Sequence, residues 1–272
     1  MPLWKITLAY DGTSFHGWQI QPGLPTVQGM LAQAILHVAG ESVLPQGSGR
    51  TDTGVHALGQ VASFSLEAPI PAANLHRALN RALPPSIRIL SLEAAPGFHA
   101  RHSAVAKTYE YRIFPSRLAP PSLIPDAMPL ICSPMLAPFV WDCPLLLDLA
   151  TLQNAADAVL GTHDFTSFAA SDPDQAARES AHSSDGPIPT HTSNVRTLHH
   201  SRWELREGLL LYRVTGTGFL HHMVRNLVGT FVEAGCGRFP SDAIPRILAA
   251  RNRAAAGPTA PARGLFLIEV QY

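Results

Sequence analysis

The residue types best suited to chemistry lie together in the segment GRTDTGVHA at residues 49–57. It carries a guanidinium (Arg50), a carboxylate (Asp52) and two threonine hydroxyls between two glycines, followed by the imidazole of His56. Because glycine tolerates backbone angles that other residues avoid, Gly49 and Gly54 predict a tight loop that places Arg50 beside Asp52. A carboxylate beside a guanidinium stays ionised, as a nucleophile or general base requires. From these residues alone, a polar turn whose aspartate caps a helix is an equally good interpretation.

This segment resembles the GRTDAGVHA motif of the tRNA pseudouridine synthase A family, with Thr53 where the family commonly has alanine. Further segments are similar to the same family in the same order along the chain. They are YDGT (10–13) with FHGWQ (15–19), FHAR (98–101) leading into KTYEYR (107–112), GTHDFTSF (161–168), GFLHHMVRNLVG (218–229) and GLFL (264–267). The resemblance covers nearly the whole chain and favours a catalytic interpretation of the first motif.

The resemblance implies a reaction and assigns roles to particular residues. The family breaks the bond between uracil N1 and ribose C1′, turns the base and rejoins it through C5, without a metal or cofactor. Asp52 matches the catalytic aspartate, Tyr109 the tyrosine that stacks on the uracil, and Arg225 the arginine that pairs with the aspartate. Arg50 would hold a phosphate or order the loop, and Leu265 matches an apolar residue that packs against the base. Whether the aspartate attacks a carbon of the nucleotide or removes a ribose proton stays open.

The resemblance also implies a substrate and an assembly. The substrate is the anticodon stem-loop of several tRNAs, with uridines 38, 39 and 40 as targets, and the enzyme acts as a homodimer. Extruding a stacked base costs roughly a few kcal/mol, which contacts to the RNA backbone must offset. The basic cluster between Arg77 and Arg117 is the candidate for these contacts, by shape and phosphate rather than by base edges. Within it we assign substrate binding to Arg77, Arg81 and Arg101.

The charges of the chain are unevenly distributed. The formal net charge is zero and the pI is near 7.2, which by itself argues against nucleic-acid binding. However, residues 77–117 contain seven basic and two acidic side chains, whereas residues 142–185 contain eight acids and one arginine. This segregation predicts a positive face and a negative back.

Several classes of protein are disfavoured by composition. The three cysteines are odd in number and show no CxxC spacing, which argues against a disulfide framework and a zinc site and fits a cytoplasmic protein. Residues 127–141 are uncharged, but three prolines interrupt them and they are shorter than the roughly 20 residues that span a membrane. Residues 1–11 contain no apolar run of signal-peptide length. We therefore expect no membrane segment and no secretion.

Two other functions compete with an RNA-modifying isomerase. The first is a catalytically silent tRNA-binding module, against which the intact set of Arg50, Asp52, Tyr109 and Arg225 argues. The second is a metallohydrolase, because imidazole is the commonest metal ligand. Its candidate ligands are His56, His163, His221 and His222. Since no HExxH or HxH spacing occurs among them, we favour histidines that are hydrogen-bonded within the fold.

Hydrophobic periodicity predicts the elements that must position these motifs. Alternation predicts strands at 4–9, 58–66, 87–92, 107–114, 195–205, 209–215 and 265–270. Apolar residues at helical spacing predict helices between Thr26 and Gly40, after Pro71, and at 145–160, 219–232 and 241–251.

These elements predict an α+β fold of two related halves whose sheets join. The first half, residues 1–106, carries the aspartate loop, and the second comprises residues 107–272. In the second half, proline-rich residues 115–144 should interrupt regular structure, and residues 169–191 should form a mobile insertion. The resemblance implies the pseudouridine synthase fold, with a central antiparallel sheet, helices outside it and a cleft between the halves.

Overall fold

A computed structural model of the chain describes residues 2–119, 130–170, 193–240 and 242–272. Within these residues one sheet of ten strands forms the framework. The strands are β1 Leu3–Tyr10, β2 Gln46–Gly47, β3 His56–Ser65, β4 Ile87–Ala94, β5 Ala106–Ala119, β6 Trp141–Asp148, β7 Gly161–Asp164, β8 Val195–Arg206, β9 Leu209–Gly216 and β10 Leu265–Gln271. The helices are α1 Val27–Ala39, α2 Ala72–Ala82, α3 Leu149–Asp157, α4 Met223–Gly235 and α5 Ala243–Ala250. The α+β prediction is confirmed.

The order of the strands explains how distant parts of the chain meet. The path is β4-β1-β3-β10-β5-β9-β8-β7, while β2 pairs with β3 and β6 with β5. In the described part of the sheet, the β3–β10 and β5–β6 pairs are parallel and the other pairs antiparallel. Strand β10 therefore joins β3, which precedes it by some two hundred residues, to β5 in one continuous sheet.

Helix α1 shows how local sequence sets the boundaries of an element. The Thr26 side chain accepts a hydrogen bond from the Gly29 amide and caps the first turn. The helix ends at Gly40, whose φ of 73° lies in the left-handed region that favours glycine. Leu31 and Ile35, one turn apart, are fully buried. These boundaries agree with those predicted from the sequence.

Regular structure extends further into the proline-rich segment than we predicted. Strand β5 continues through Pro115 to Ala119, and β6, which contains Pro144, pairs with it in parallel. A proline cannot donate a ladder hydrogen bond, but β6 lies off the main path of the sheet, where this loss is tolerated. The helix predicted at 145–160 therefore begins only at Leu149, where Asp148 Oδ1 accepts from the Thr151 amide at 2.7 Å.

The helix predicted at 219–232 begins later, at Met223, so Phe219 and Leu220 precede it and line a cavity instead. One polar residue of this helix, Asn226, is fully buried. It donates to the Phe168 carbonyl at 2.8 Å and accepts from Arg253 at 3.1 Å. A buried amide is stable when it is hydrogen-bonded in this way, which hydrophobic periodicity does not reveal.

Two further predictions concern the organisation of the chain. The first is the insertion predicted at 169–191, of which residues 171–191 lie outside the described part of the chain. The division into halves at residues 106 and 107 also stays a prediction. Among the helices that the structure describes, none combines the length and the apolar character needed to cross a bilayer.

Candidate active site

The GRTDTGVHA segment forms a loop between β2 and β3, and its two glycines serve different purposes. Gly54 has a φ of 77°, as its place in a tight loop predicted. Gly49 does not lie in the left-handed region. A Cβ atom there would instead lie 2.7 Å from Lys107 Nζ, so this glycine leaves room for a neighbouring ammonium group.

Buried hydrogen bonds fix the loop on both sides of Arg50. The hydroxyls of Tyr10 and Thr51 are 2.8 Å apart. The fully buried Gln60 donates through Nε2 to the Gly49 carbonyl at 3.0 Å and accepts from the Ser48 hydroxyl at 2.7 Å. Since each buried donor and acceptor here has a partner, the network holds the loop in one conformation.

The proposed catalytic carboxylate is paired with an arginine from the distant helix α4. Arg225 Nη1 donates to Asp52 Oδ2 at 2.9 Å, across 173 residues of sequence. Arg225 Nε donates to the Ala260 carbonyl at 2.8 Å, so the guanidinium is held from two sides. The Asp52 and Arg225 side chains are 20% and 15% exposed. An ion pair this sheltered orients the carboxylate.

Two histidines complete the surroundings of Asp52. His222 Nε2 lies 3.3 Å from Asp52 Oδ2, and His221 Nε2 lies 3.6 Å from Oδ1. Burial lowers the pKa of His222, against the opposing effect of the Asp52 charge, so its imidazole is neutral at pH 7. One ligand atom from each of these three residues lies within 4.8 Å of the others, a spacing that could hold a metal ion. However, Arg225 already occupies Asp52 Oδ2, and its positive charge opposes a second cation there.

The other two histidines considered from the sequence lie elsewhere. The His56 ring stacks on Phe266 with centroids 4.6 Å apart, and its Nδ1 accepts from the Gly12 amide at 3.0 Å. His163 Nε2 lies 2.7 Å from the Leu160 carbonyl. Both are engaged within the fold, as the sequence favoured.

Asp52 opens onto a cavity of about 770 Å³, a size typical of ligand sites. Its charged lining is strongly positive. Five cations, Arg50, Arg101, Lys107, Arg196 and Arg225, face it. Within the described residues, Asp52 is the carboxylate that lines this cavity. Such a lining suits a polyanionic ligand.

Tyr109 and Leu265 also line the cavity, and each is less than a tenth exposed. The Tyr109 ring meets Phe219 edge to face at 5.0 Å. Burial raises the pKa of Tyr109 above its ordinary value, so the phenol stays neutral at pH 7. By contrast, Tyr111 is fully buried and donates its hydroxyl to the Pro261 carbonyl at 2.7 Å. Of the two tyrosines on this strand, Tyr109 is thus the one available to a ligand.

The arginines assigned to substrate binding are not all at the cavity. Arg50 is exposed and donates through Nε to Gln19 at 3.2 Å, and Arg101 is exposed on the same cavity wall. Arg77 and Arg81 are exposed on α2 and are not among the residues that line the cavity. The structure thus groups Arg50 and Arg101 with Asp52 and leaves Arg77 and Arg81 apart.

The sequence analysis included Lys107 in the basic cluster between Arg77 and Arg117 without singling it out, and it assigned no role to Arg196. Lys107 precedes Tyr109 by two residues on β5, so the alternation of the strand places both side chains on one face. That spacing would have identified it. Arg196 lies on β8, and no local pattern indicates it.

A family model described as tRNA pseudouridine synthase matches residues 6–103 and 155–272. The chain belongs to this family. The tRNA pseudouridine synthase A of Solibacter usitatus is 47% identical over 270 residues, which cover 98% of each chain. The corresponding protein of Moorella thermoacetica is 42% identical over 280 residues, which cover 100% of each chain. The family resemblance and the pseudouridine synthase fold are confirmed.

Membership of the tRNA pseudouridine synthase family fits the chemistry that this site can perform. An oriented carboxylate and a neutral phenol face one cavity, which is enough for nucleophilic or acid–base chemistry on a bound base. The surrounding cations suit an RNA backbone.

Proposed function

We propose that this protein isomerises uridines 38, 39 and 40 in the anticodon stem-loop of tRNAs to pseudouridine, as a homodimer in the cytoplasm and without a cofactor. The observation that carries the proposal is the Asp52–Arg225 ion pair, which opens onto the same cation-lined cavity as Tyr109. Family membership and the names of the relatives support the reaction and the tRNA substrate. The target positions, the dimer and the location follow from the sequence resemblance and cysteine usage.

In the proposed reaction Arg225 holds the Asp52 carboxylate in position towards the ribose. The carboxylate either attacks a carbon of the nucleotide or removes a ribose proton, and the bond between N1 and C1′ breaks. The freed uracil turns against the Tyr109 ring, C5 bonds to C1′, and Asp52 is released from the carbon that it attacked or returns the ribose proton that it removed. C5 loses its proton and N1 gains one, so the product has the same composition as the substrate.

The cavity suits a nucleotide that has left its helix. Its volume of about 770 Å³ is ample for one base and its sugar, and Tyr109 and Leu265 offer apolar surface to the ring. The cations of the lining other than Arg225, which is paired with Asp52, compensate phosphate charge and so help to offset the unstacking of the base. Because burial keeps the Tyr109 phenol neutral, its part in removal of the C5 proton is to relay that proton through its hydroxyl rather than to act as a phenolate base.

Replacing Asp52 with asparagine tests the proposal. Asp52→Asn should form no detectable pseudouridine on an unmodified tRNA transcript, measured by reverse-transcription stops after carbodiimide treatment, while tRNA binding stays within severalfold. Asp157→Asn on α3 makes the same change on an exposed surface and should leave turnover intact. Retained turnover in Asp52→Asn would refute the role of Asp52, and binding without turnover in the wild-type protein would support the silent module.

The substrate positions and the assembly need separate measurements. Transcripts in which uridine 38, 39 or 40 is replaced by cytidine should lose the corresponding stop one at a time. Stops that persist elsewhere in the tRNA would contradict the assigned positions. Light scattering at the protein concentration of the assay should give the mass of a dimer, and a monomer mass with full activity would contradict the assembly.

A further inference from the structure

Lys107 is a cation of the cavity wall whose hydrogen-bonding capacity is mostly unused. Its Nζ donates to the Ser48 carbonyl at 2.7 Å. An ammonium group has three N–H donors, and in the described part of the chain the other two have no acceptor. No carboxylate of the described residues lies within ion-pair distance of Nζ.

The surroundings of Lys107 disfavour the charged form of its ammonium group. Burial and, to a smaller extent, the nearby Arg101 charge lower the pKa of Lys107 to about 8. The strand neighbours directly opposite are Gly216 on β9 and Val270 on β10, neither of which titrates. On the loop side, the missing Cβ of Gly49 leaves the ammonium its space. A desolvated ammonium group with no carboxylate of the described residues within ion-pair distance is typical of a site that binds an anion.

We propose that Lys107, together with Arg101, binds a phosphate of the RNA backbone beside the target uridine. The position follows from β5, because side chains two residues apart share a face and are roughly 6.6 Å apart along a strand. A base against Tyr109 therefore has its own backbone within reach of Lys107 Nζ. This inference rests on the proposed function, since it takes the polyanion in the cavity to be RNA.

Other charged side chains of the cavity already have partners within the protein. Asp52 is engaged by Arg225 and approached by His221 and His222. Arg196 Nη1 donates to the carbonyls of Ser193 and Val195. The competing explanation is that Lys107 only holds the Ser48 carbonyl and so orders the loop.

The salt dependence of binding distinguishes these explanations. Each phosphate that a cation neutralises contributes about 0.7 to the slope of log affinity against log salt for single-stranded RNA and about 0.9 for a duplex. In an Asp52→Asn background, which prevents turnover, Lys107→Met should weaken binding of unmodified tRNA about tenfold at 0.1 M salt and reduce the slope by about that amount. The sequence contains one other lysine, Lys5, which pairs with Glu93 away from the cavity. Lys5→Met is the matched control and should leave the slope unchanged.

A direct titration of the Lys107 ammonium group uses the protein without substitutions, so this test does not depend on whether a variant folds. With two lysines in the chain, protein labelled with ¹³C at lysine Cε gives one signal for Lys107 and one for Lys5 as an internal reference. Lys107 should titrate near pH 8 in the free protein, and its midpoint should rise when tRNA binds. Between pH 7 and pH 9 tRNA affinity should fall about fivefold, and Lys107→Arg should remove this fall because arginine stays charged.

An unchanged salt slope in Lys107→Met, with a Lys107 midpoint that tRNA does not move, would overturn the inference and leave the lysine as a support for the loop. The proposed function fails by a different result, namely the absence of pseudouridine from tRNA treated with the wild-type protein. The two failures are therefore distinguishable.

Discussion

Replacing Arg225 with methionine should remove the guanidinium that holds the proposed catalytic carboxylate while keeping most of the aliphatic stem. The two charged atoms are 2.9 Å apart and both side chains are at least four-fifths buried. At an effective dielectric constant of about 20, the gross attraction at this distance is about 6 kcal/mol. Removing one partner of a buried pair costs about 3–5 kcal/mol. Because both side chains keep some exposure to solvent, we take the lower end of this range, about 3 kcal/mol. Expressed in the transition state, that is a loss of about 10²-fold in kcat.

The assay follows the proton that leaves C5. Tritium released from tRNA labelled at uracil C5 gives kcat and KM, and Arg225→Met should lower kcat about 10²-fold with KM within about threefold. Arg225→Lys keeps the charge but cannot contact Asp52 and the Ala260 carbonyl in the same way, so it should lose about tenfold. Arg246→Met, on the exposed face of α5, should behave as the wild type. A kcat for Arg225→Met within about threefold of the wild type would refute the argument that this ion pair supports the reaction.

Three further predictions concern stability and pH. Tyr111→Phe removes the hydrogen bond to the Pro261 carbonyl and should lower the free energy of unfolding by about 1–3 kcal/mol in urea with kcat unchanged; a matching loss of kcat would mean that this tyrosine takes part in the reaction. Gly229→Ala would place a Cβ 1.7 Å from the Pro258 carbonyl oxygen, so soluble expression or melting temperature should fall sharply, and an unchanged melting temperature would contradict the close packing of α4. Burial lowers the pKa of His56 in the folded state, so at a pH just below the ordinary histidine pKa the unfolded state binds more protons than the folded state. The free energy of unfolding should therefore fall as the pH decreases below about 6.5. A free energy of unfolding that stays level between pH 7 and pH 5 would contradict this.

The parts of the fold that the sequence predicted are those determined locally. The limits of α1 follow from Thr26 and Gly40, which act within one turn of the helix. The position of β10 between β3 and β5 was not predictable in this way, because it depends on pairings across most of the chain. The parallel β5–β6 pair was missed for a related reason. Prolines argue against a strand in general. Only the topology shows that β6, which contains Pro144, lies off the main path of the sheet, where a proline is tolerated.

The same distinction applies to the site. Gly54 was predictable because a tight loop needs its positive φ, whereas the reason for Gly49 is an ammonium group 58 residues further along the chain. The approach of His222 to Asp52 depends on where α4 begins, which the apolar pattern placed four residues too early. The motif resemblance selected Asp52, Tyr109 and Arg225, whose roles await the experiments above.

The place of β10 in the sheet has a consequence for biosynthesis. While a ribosome is still making the chain, β3 and β5 each present an uncovered edge to the other, and β10 is the strand that closes both. Until it emerges, these edges are open to pairing with other nascent chains. Translation that stalls after α4 would leave a product that already contains Asp52 and Arg225 but lacks β10, the strand that joins β3 to β5 in one sheet. Demand for chaperones should therefore be greatest late in synthesis.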